Sequence, residues 1–227
     1  MNLEPYFDKY KAIVDQVEAV FKKVQEEYHD CVKCKMGCSD CCHALFDLSL
    51  VEALYIKSKF DAVFQDEARA IVLERANEAD RAVYRLKRQA FKDHENGKPE
   101  NEILEDMAKQ RVRCPLLNAE DKCDLYEARP ITCRLYGIPT AIGDKAHTCG
   151  SSGFKQGTSY PTVKLDAIQE RLYSLSSELA NEIGSRYPKL AELLVPVSMA
   201  LLTDYTEEYL GVKSNQELSE EGRHDGE

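Results

Sequence analysis

Eight of the nine cysteines in this chain fall into two groups that could bind a soft metal: Cys34, Cys38, Cys41 and Cys42, then Cys114, Cys123, Cys133 and Cys149. The first group reads C-K-M-G-C-S-D-C-C, a thiol density that core packing does not require. Thiolate sulfur suits zinc, copper(I) and iron–sulfur clusters, whereas calcium or magnesium would call for carboxylates. A disulfide framework is the rival reading. It belongs to short secreted chains that cannot build a core, and 227 residues with 43% apolar composition can build one.

Spacing limits what the thiols can do. Cys34, Cys38 and Cys41 share one turn-rich loop containing Gly37, Ser39 and Asp40, so their sulfurs can converge while ordering little chain. Cys42 is the exception, because adjacent side chains diverge and are hard to aim at one small ion. It serves a second metal, or the Cys41–Cys42 pair straddles a larger cluster. The second group is stretched, and no local zinc finger fits it; a zinc ribbon would show C-x-x-C twice. Two solutions remain open: separate four-thiolate sites, or a shared site that takes sulfurs from both groups and closes a loop of about seventy residues.

The elements that must position these groups are mainly helical. Leu3, Phe7, Tyr10, Val14, Val17, Phe21, Val24 and Tyr28 step by four and three, with Tyr6, Ile13 and Val20 widening the stripe, which predicts an amphipathic helix over 3–28. Ser49-Leu-Val-Glu52 has the form of a capping box that restarts helix after the first cysteine loop. From Leu50 to Phe91 two helices are expected, with a break near Lys59 to Asp61 and a stop at Asn96-Gly97 and Pro99. A short helix follows at 101–109. Between Arg113 and Gly153 the texture turns to short apolar runs with prolines and glycines. Hairpins are expected across Asn118 to Asp121 and at Gly143-Asp144.

Leu165, Ile168, Leu172, Leu175, Leu179 and Ile183 mark a further helix ending near Gly184. Pro196 breaks the run Leu190 to Leu202, and Asp204 to Leu210 is expected to form a last short helix. The expected fold class is thus a mainly α domain around an irregular cysteine-rich metal centre, with one or two small β-hairpins. A single domain is expected over 1–212, with its motif region at 34–149 and C-terminal helices at 163–210. An acidic disordered tail follows at 213–227.

Charge and hydropathy exclude some partners. The net charge of −10 disfavours nucleic acid, and the cluster Arg81, Arg85, Lys87, Arg88 and Lys92 is interleaved with acids as on a solvated helix face. No signal peptide or membrane span is visible, so the cytoplasm is the expected location, where clustered thiols act as metal ligands. Metal ions are the expected partners, with no membrane.

The order Cys34-x-x-x-Cys38-x-x-Cys41-Cys42, then Cys114-Pro-Leu-Leu, then Cys123-Asp-Leu-Tyr126-Glu-Ala-Arg129-Pro130-Ile-Thr-Cys133-Arg134-Leu-Tyr136, resembles the YkgJ-type cysteine-cluster family, also called the CxxCxxCC zinc- or iron-chelating family. The resemblance covers 34–149. It implies a cytosolic metal-binding protein, described variously as zinc- or iron-chelating or as iron–sulfur. Arg129 and Arg134 are expected beside the bound cofactor, donating to thiolates, with pairing of either to a carboxylate such as Glu127 as the alternative. Tyr126 and Tyr136 are read as core residues, and Pro130 as the start of a short helix carrying Cys133. His43 and His147 adjoin cysteines and either could replace a thiolate, though eight cysteines already suffice, and Cys31 is read as a spare thiol.

Three function classes follow: an iron–sulfur protein in electron transfer or catalysis, a structural zinc protein, and a metal-chelating protein. Radical-SAM enzymes share the Cys34–Cys38–Cys41 spacing, but they follow it with alternating strands and helices, not long helices. No Ser-His-Asp, P-loop, Rossmann or H-E-x-x-H pattern occurs, so catalysis without the metal has no candidate, and whether the chain is an enzyme stays open. Charge distribution over several irons favours iron, as an iron–sulfur cluster, with zinc as the alternative.

Overall fold

The computed structural model describes residues 1–35 and 37–213, so most of the expected acidic tail lies outside the described residues. Its helices are α1 (Glu4–Glu27), α2 (Leu50–Val63), α3 (Asp66–Glu95), α4 (Glu100–Ala108), α5 (Ile131–Leu135), α6 (Leu165–Glu182) and α7 (Val197–Leu202). Its strands are β1 (Asp47–Ser49), β2 (Thr140–Ile142), β3 (Lys145–His147), β4 (Val163–Lys164) and β5 (Leu194–Pro196). The mainly α class with small β elements is therefore correct.

Helix α1 forms as its period predicts and buries Tyr6, Phe7, Tyr10, Ile13, Val14, Val17 and Val24. Val20 faces solvent, because the apolar arc is narrower than the sequence stripe. The buried face packs on α2, α5 and α6. Helix α2 is apolar around most of its circumference, from Leu50 to Phe60, and is buried accordingly between α1, α6 and α7. The expected capping box is present, with the Glu52 carboxylate accepting from the Ser49 N–H at 3.2 Å and from its hydroxyl at 3.1 Å.

The break after α2 falls at Phe64-Gln65 instead of Lys59 to Asp61. Phe60 is fully buried and stacks on Phe64 at 5.2 Å, and that packing carries the helix one turn further than propensity suggests. Helix α3 spans about 45 Å and buries only Val72, Ala76, Ala79 and Val83. This one-sided stripe meets α7, and Arg81, Arg85, Arg88 and Lys92 lie exposed on the rest of the helix as expected.

Two small sheets complete the fold. β1 pairs antiparallel with β5, Leu48 opposite Val195. β2 pairs antiparallel with β3 and parallel with β4. The β2–β3 hairpin turns at Gly143, whose φ of +55° suits glycine. The hairpin expected around Asn118 shrinks to a single bridge, Leu117 to Cys123, because an Asn118 side-chain turn occupies its tip. Before Pro196 the chain is strand, since β1 offers Leu194–Pro196 a partner. Asp204 to Leu210 forms turns, not the expected helix, with Leu210 anchored in the core.

Candidate metal centre

Backbone pairing brings the two cysteine groups together. The Cys114 N–H donates to the Cys42 carbonyl at 2.7 Å and the Val112 N–H to the His43 carbonyl at 3.0 Å, with Ala44 bridging Arg111. The Leu117–Cys123 bridge folds Cys123 back beside Cys114. Helix α5, begun by Pro130 as expected, presents Cys133. Its first N–H, on Ile131, donates to buried Glu52 at 3.1 Å, so the carboxylate that caps α2 also holds the helix carrying Cys133.

As a result Cys41, Cys42, Cys114, Cys123 and Cys133 line one cavity of about 50 Å3, walled also by Phe46, Pro130 and Arg129. The neighbouring S–H groups of Cys133 and then Cys42 stabilise the Cys41 thiolate and lower its pKa. The same interaction with Cys41, followed by burial, raises Cys133 and Cys42. Burial pushes Cys114 up to about 12 and raises Cys123. Arg75 counters this at Cys114, and its buried Nε has no hydrogen-bond partner among the described residues. Among the described residues no three His, Cys, Asp or Glu side chains already stand at metal-ligand spacing, so the sulfurs surround a space without converging on a point.

The remaining motif thiols form a second neighbourhood. Cys34 donates its S–H to the Tyr136 carbonyl at 3.2 Å, and burial followed by the proximity of Cys38, Cys149 and Cys41 lifts its pKa to about 12. Gly137 makes this approach possible. Its φ is +108°, and a Cβ there would stand 2.1 Å from the Cys34 sulfur. Cys149 donates to Asp40 Oδ2 at 3.1 Å, while Arg111 grips the other carboxylate oxygen. Burial disfavours the Asp40 carboxylate, but hydrogen bonds from Cys149 and Arg111 outweigh it and lower its pKa. The Cys149 loop is docked on the end of α1 by the Tyr28, Phe154 and Tyr160 rings and by the Gly153 N–H on the Cys31 carbonyl at 2.7 Å.

The sequence order of the eight thiols is thus not their spatial order: Cys41 and Cys42 join the later group, and Cys149 joins the earlier one. Arg134 is buried and its hydrogen bonds go to Glu18 of α1 and to the carbonyls of Glu127 and Arg129. Arg129 lines the thiol cavity but donates to Glu18 at 3.4 Å and to the Tyr126 carbonyl at 3.0 Å, stacking over the Tyr126 ring. That ring is exposed, contrary to its expected core place, because it covers the guanidinium instead of filling the interior. Tyr136 is half-buried, its hydroxyl accepting from Arg111 at 3.4 Å. The Nδ1 of His43 bonds to the Ser39 carbonyl at 3.0 Å, and exposed His147 lies in β3.

Gly137, Arg75 and Glu18 carry no sequence expectation, and Asp40 is read from sequence only as a turn former. Asp40 lies inside the motif and Gly137 follows it directly, so both were within reach. Arg75 and Glu18 sit on long helices among many charges and carry no local signal.

A family model described as CxxCxxCC, "Putative zinc- or iron-chelating domain", matches residues 33–150, just over half of the chain. The chain belongs to this family. The CxxCxxCC match encloses all eight clustered cysteines and both thiol neighbourhoods. No curated protein and no solved structure matches the chain. No helix among the described residues is long and apolar enough to cross a membrane.

Proposed function

We propose that this CxxCxxCC protein holds iron as an iron–sulfur group in the cavity of Cys41, Cys42, Cys114, Cys123 and Cys133. The observation that carries the reading is five thiols around one cavity, including the consecutive pair Cys41–Cys42. A structural zinc ion takes four ligands at one point, whereas a multi-iron group spreads its ligands over a larger body. Adjacent side chains that diverge can both reach such a body.

The donor set fits. The Cys41 pKa is lowered by its neighbouring thiols, and the guanidiniums of Arg75, Arg113 and Arg129 border the site while also pairing with Asp124, Asp121 and Glu18. The buried Arg75 Nε, without a hydrogen-bond partner among the described residues, is a spare donor at the border of the site. Bound iron would supply one-electron chemistry, and the protein's part is to keep the sulfurs together and the cavity screened by Phe46 and Pro130. Cys34, Cys38 and Cys149, with Asp40, supply a smaller second set of donors.

The test is the metal content of protein purified without oxygen. Iron with acid-labile sulfide and a brown colour that bleaches on reduction is expected. Colourless, folded protein carrying zinc alone overturns the iron–sulfur reading and leaves a structural or chelating zinc protein.

A further inference from the structure

Phe46 is a wall shared between the thiol cavity and a second one, of about 550 Å3. That size falls in the range of small-molecule pockets, roughly 300 to 1,000 Å3. Its apolar interior comes from α6, through Leu165, Ile168 and Leu172, and from Ile131 at the start of α5. Ile142, Tyr173 and Leu194 stand at its edge, exposed by 49%, 50% and 63%. Large apolar side chains gathered around an opening, not scattered singly, mark a binding surface.

The charged groups lining the cavity are all acidic. Asp47, Glu52 and Glu192 contribute, and no Lys or Arg does. Asp47 is neutralised by Lys87 at 2.6 Å, and Glu52 is consumed by hydrogen bonds from Ser49, Ile131 and Tyr10. Glu192 is different: it is exposed beside Leu194, and its carboxylate has no hydrogen bond or ion pair among the described residues. An anionic ligand would meet unscreened like charge here, and a cation would find a free carboxylate.

We propose that this cavity is a binding site for a small amphiphilic amine, its alkyl or aryl body against Leu165, Ile168 and Leu172 and its ammonium at Glu192. The site goes beyond the metal reading and does not depend on it. Thr132, which precedes Cys133, also lines the cavity, so an occupant would sit next to the helix that presents a thiol to the metal centre.

The experiment is displacement of the neutral dye Nile red from the full-length protein by octylamine, hexylamine, octanol and octanoate. Octylamine should displace best and octanoate worst. Two methylenes, from hexylamine to octylamine, should tighten binding roughly tenfold. Glu192→Gln should weaken octylamine about 2–5-fold and leave octanol unchanged. Ala191→Trp should fill the cavity and abolish displacement by all four, and Leu194→Ser, at an exposed position, should weaken all of them if the tryptophan variant does not fold. Octanoate displacing as well as octylamine, or Glu192→Gln leaving octylamine unaffected, overturns the proposal. Iron content, measured on the same samples, reports on the metal reading separately.

Discussion

Replacing Glu52 by Gln tests how the fold holds Cys133. The carboxylate is buried and accepts four donors: the Ser49 N–H at 3.2 Å, the Ser49 hydroxyl at 3.1 Å, the Ile131 N–H at 3.1 Å and the Tyr10 hydroxyl at 3.4 Å. An amide of the same shape keeps one oxygen, so it satisfies either the Ser49 pair or the Ile131–Tyr10 pair and turns its own N–H groups toward the other. Two bonds to a charged acceptor are lost, at roughly 1.5–3 kcal/mol each; the backbone N–H of that pair is left facing an N–H, while its hydroxyl can turn to accept from the amide. Against this, the neutral amide removes a charge whose burial already raises the Glu52 pKa. The net expected loss is about 2 kcal/mol, read as a lower urea midpoint with unchanged slope. Because the Ile131 N–H opens α5, Cys133 should also react faster with a thiol reagent in the variant. Tyr10→Phe, which removes only the 3.4 Å bond, should lose about 0.5 kcal/mol and leave Cys133 protected. A Glu52→Gln protein as stable as the parent, with Cys133 equally protected, would refute the assignment of Glu52 as the clamp.

Gly137→Ala should destabilise by about 2–4 kcal/mol and lower metal content, because its φ is positive and the Cys34 sulfur occupies the space of a Cβ. Gly97→Ala is the control, with a positive φ but no neighbour within 4 Å, and should lose about 1 kcal/mol with metal content unchanged. Asp61 anchors buried Lys57 and also Arg69, and these partners outweigh its burial and lower its pKa. Its contribution is therefore present above the ordinary value of 3.8 and lost as pH falls below it. Asp61→Asn should cost about 1 kcal/mol near neutrality, and the difference from the parent should vanish in urea titrations run in strong acid. Cys133→Ser should lose metal and become protease-sensitive if metal and fold are coupled; a metal-free variant as resistant as the parent would count against that coupling.

Several features that rest on neighbours in sequence were legible, although the end of α2, the Asn118 hairpin and the Asp204 to Leu210 segment were not. The period of α1, the Ser49–Glu52 capping box, the Gly143 turn and the Pro130 start of α5 each depend on contacts within a few residues, and each formed as expected. The cysteine order and spacing likewise pointed to a soft metal and carried the resemblance to the CxxCxxCC family, which the family match over 33–150 bears out. Tertiary structure decided which thiols meet. Pairing of residues 42–44 with 111–114 sends Cys41 and Cys42 to Cys114, Cys123 and Cys133, while aromatic docking on α1 returns Cys149 to Cys34. It also gave Glu52 its second task and turned Arg134 to Glu18. Those choices depend on contacts between residues far apart in the chain, whose partners are selected by the packing of the whole and leave no periodic trace in any one segment.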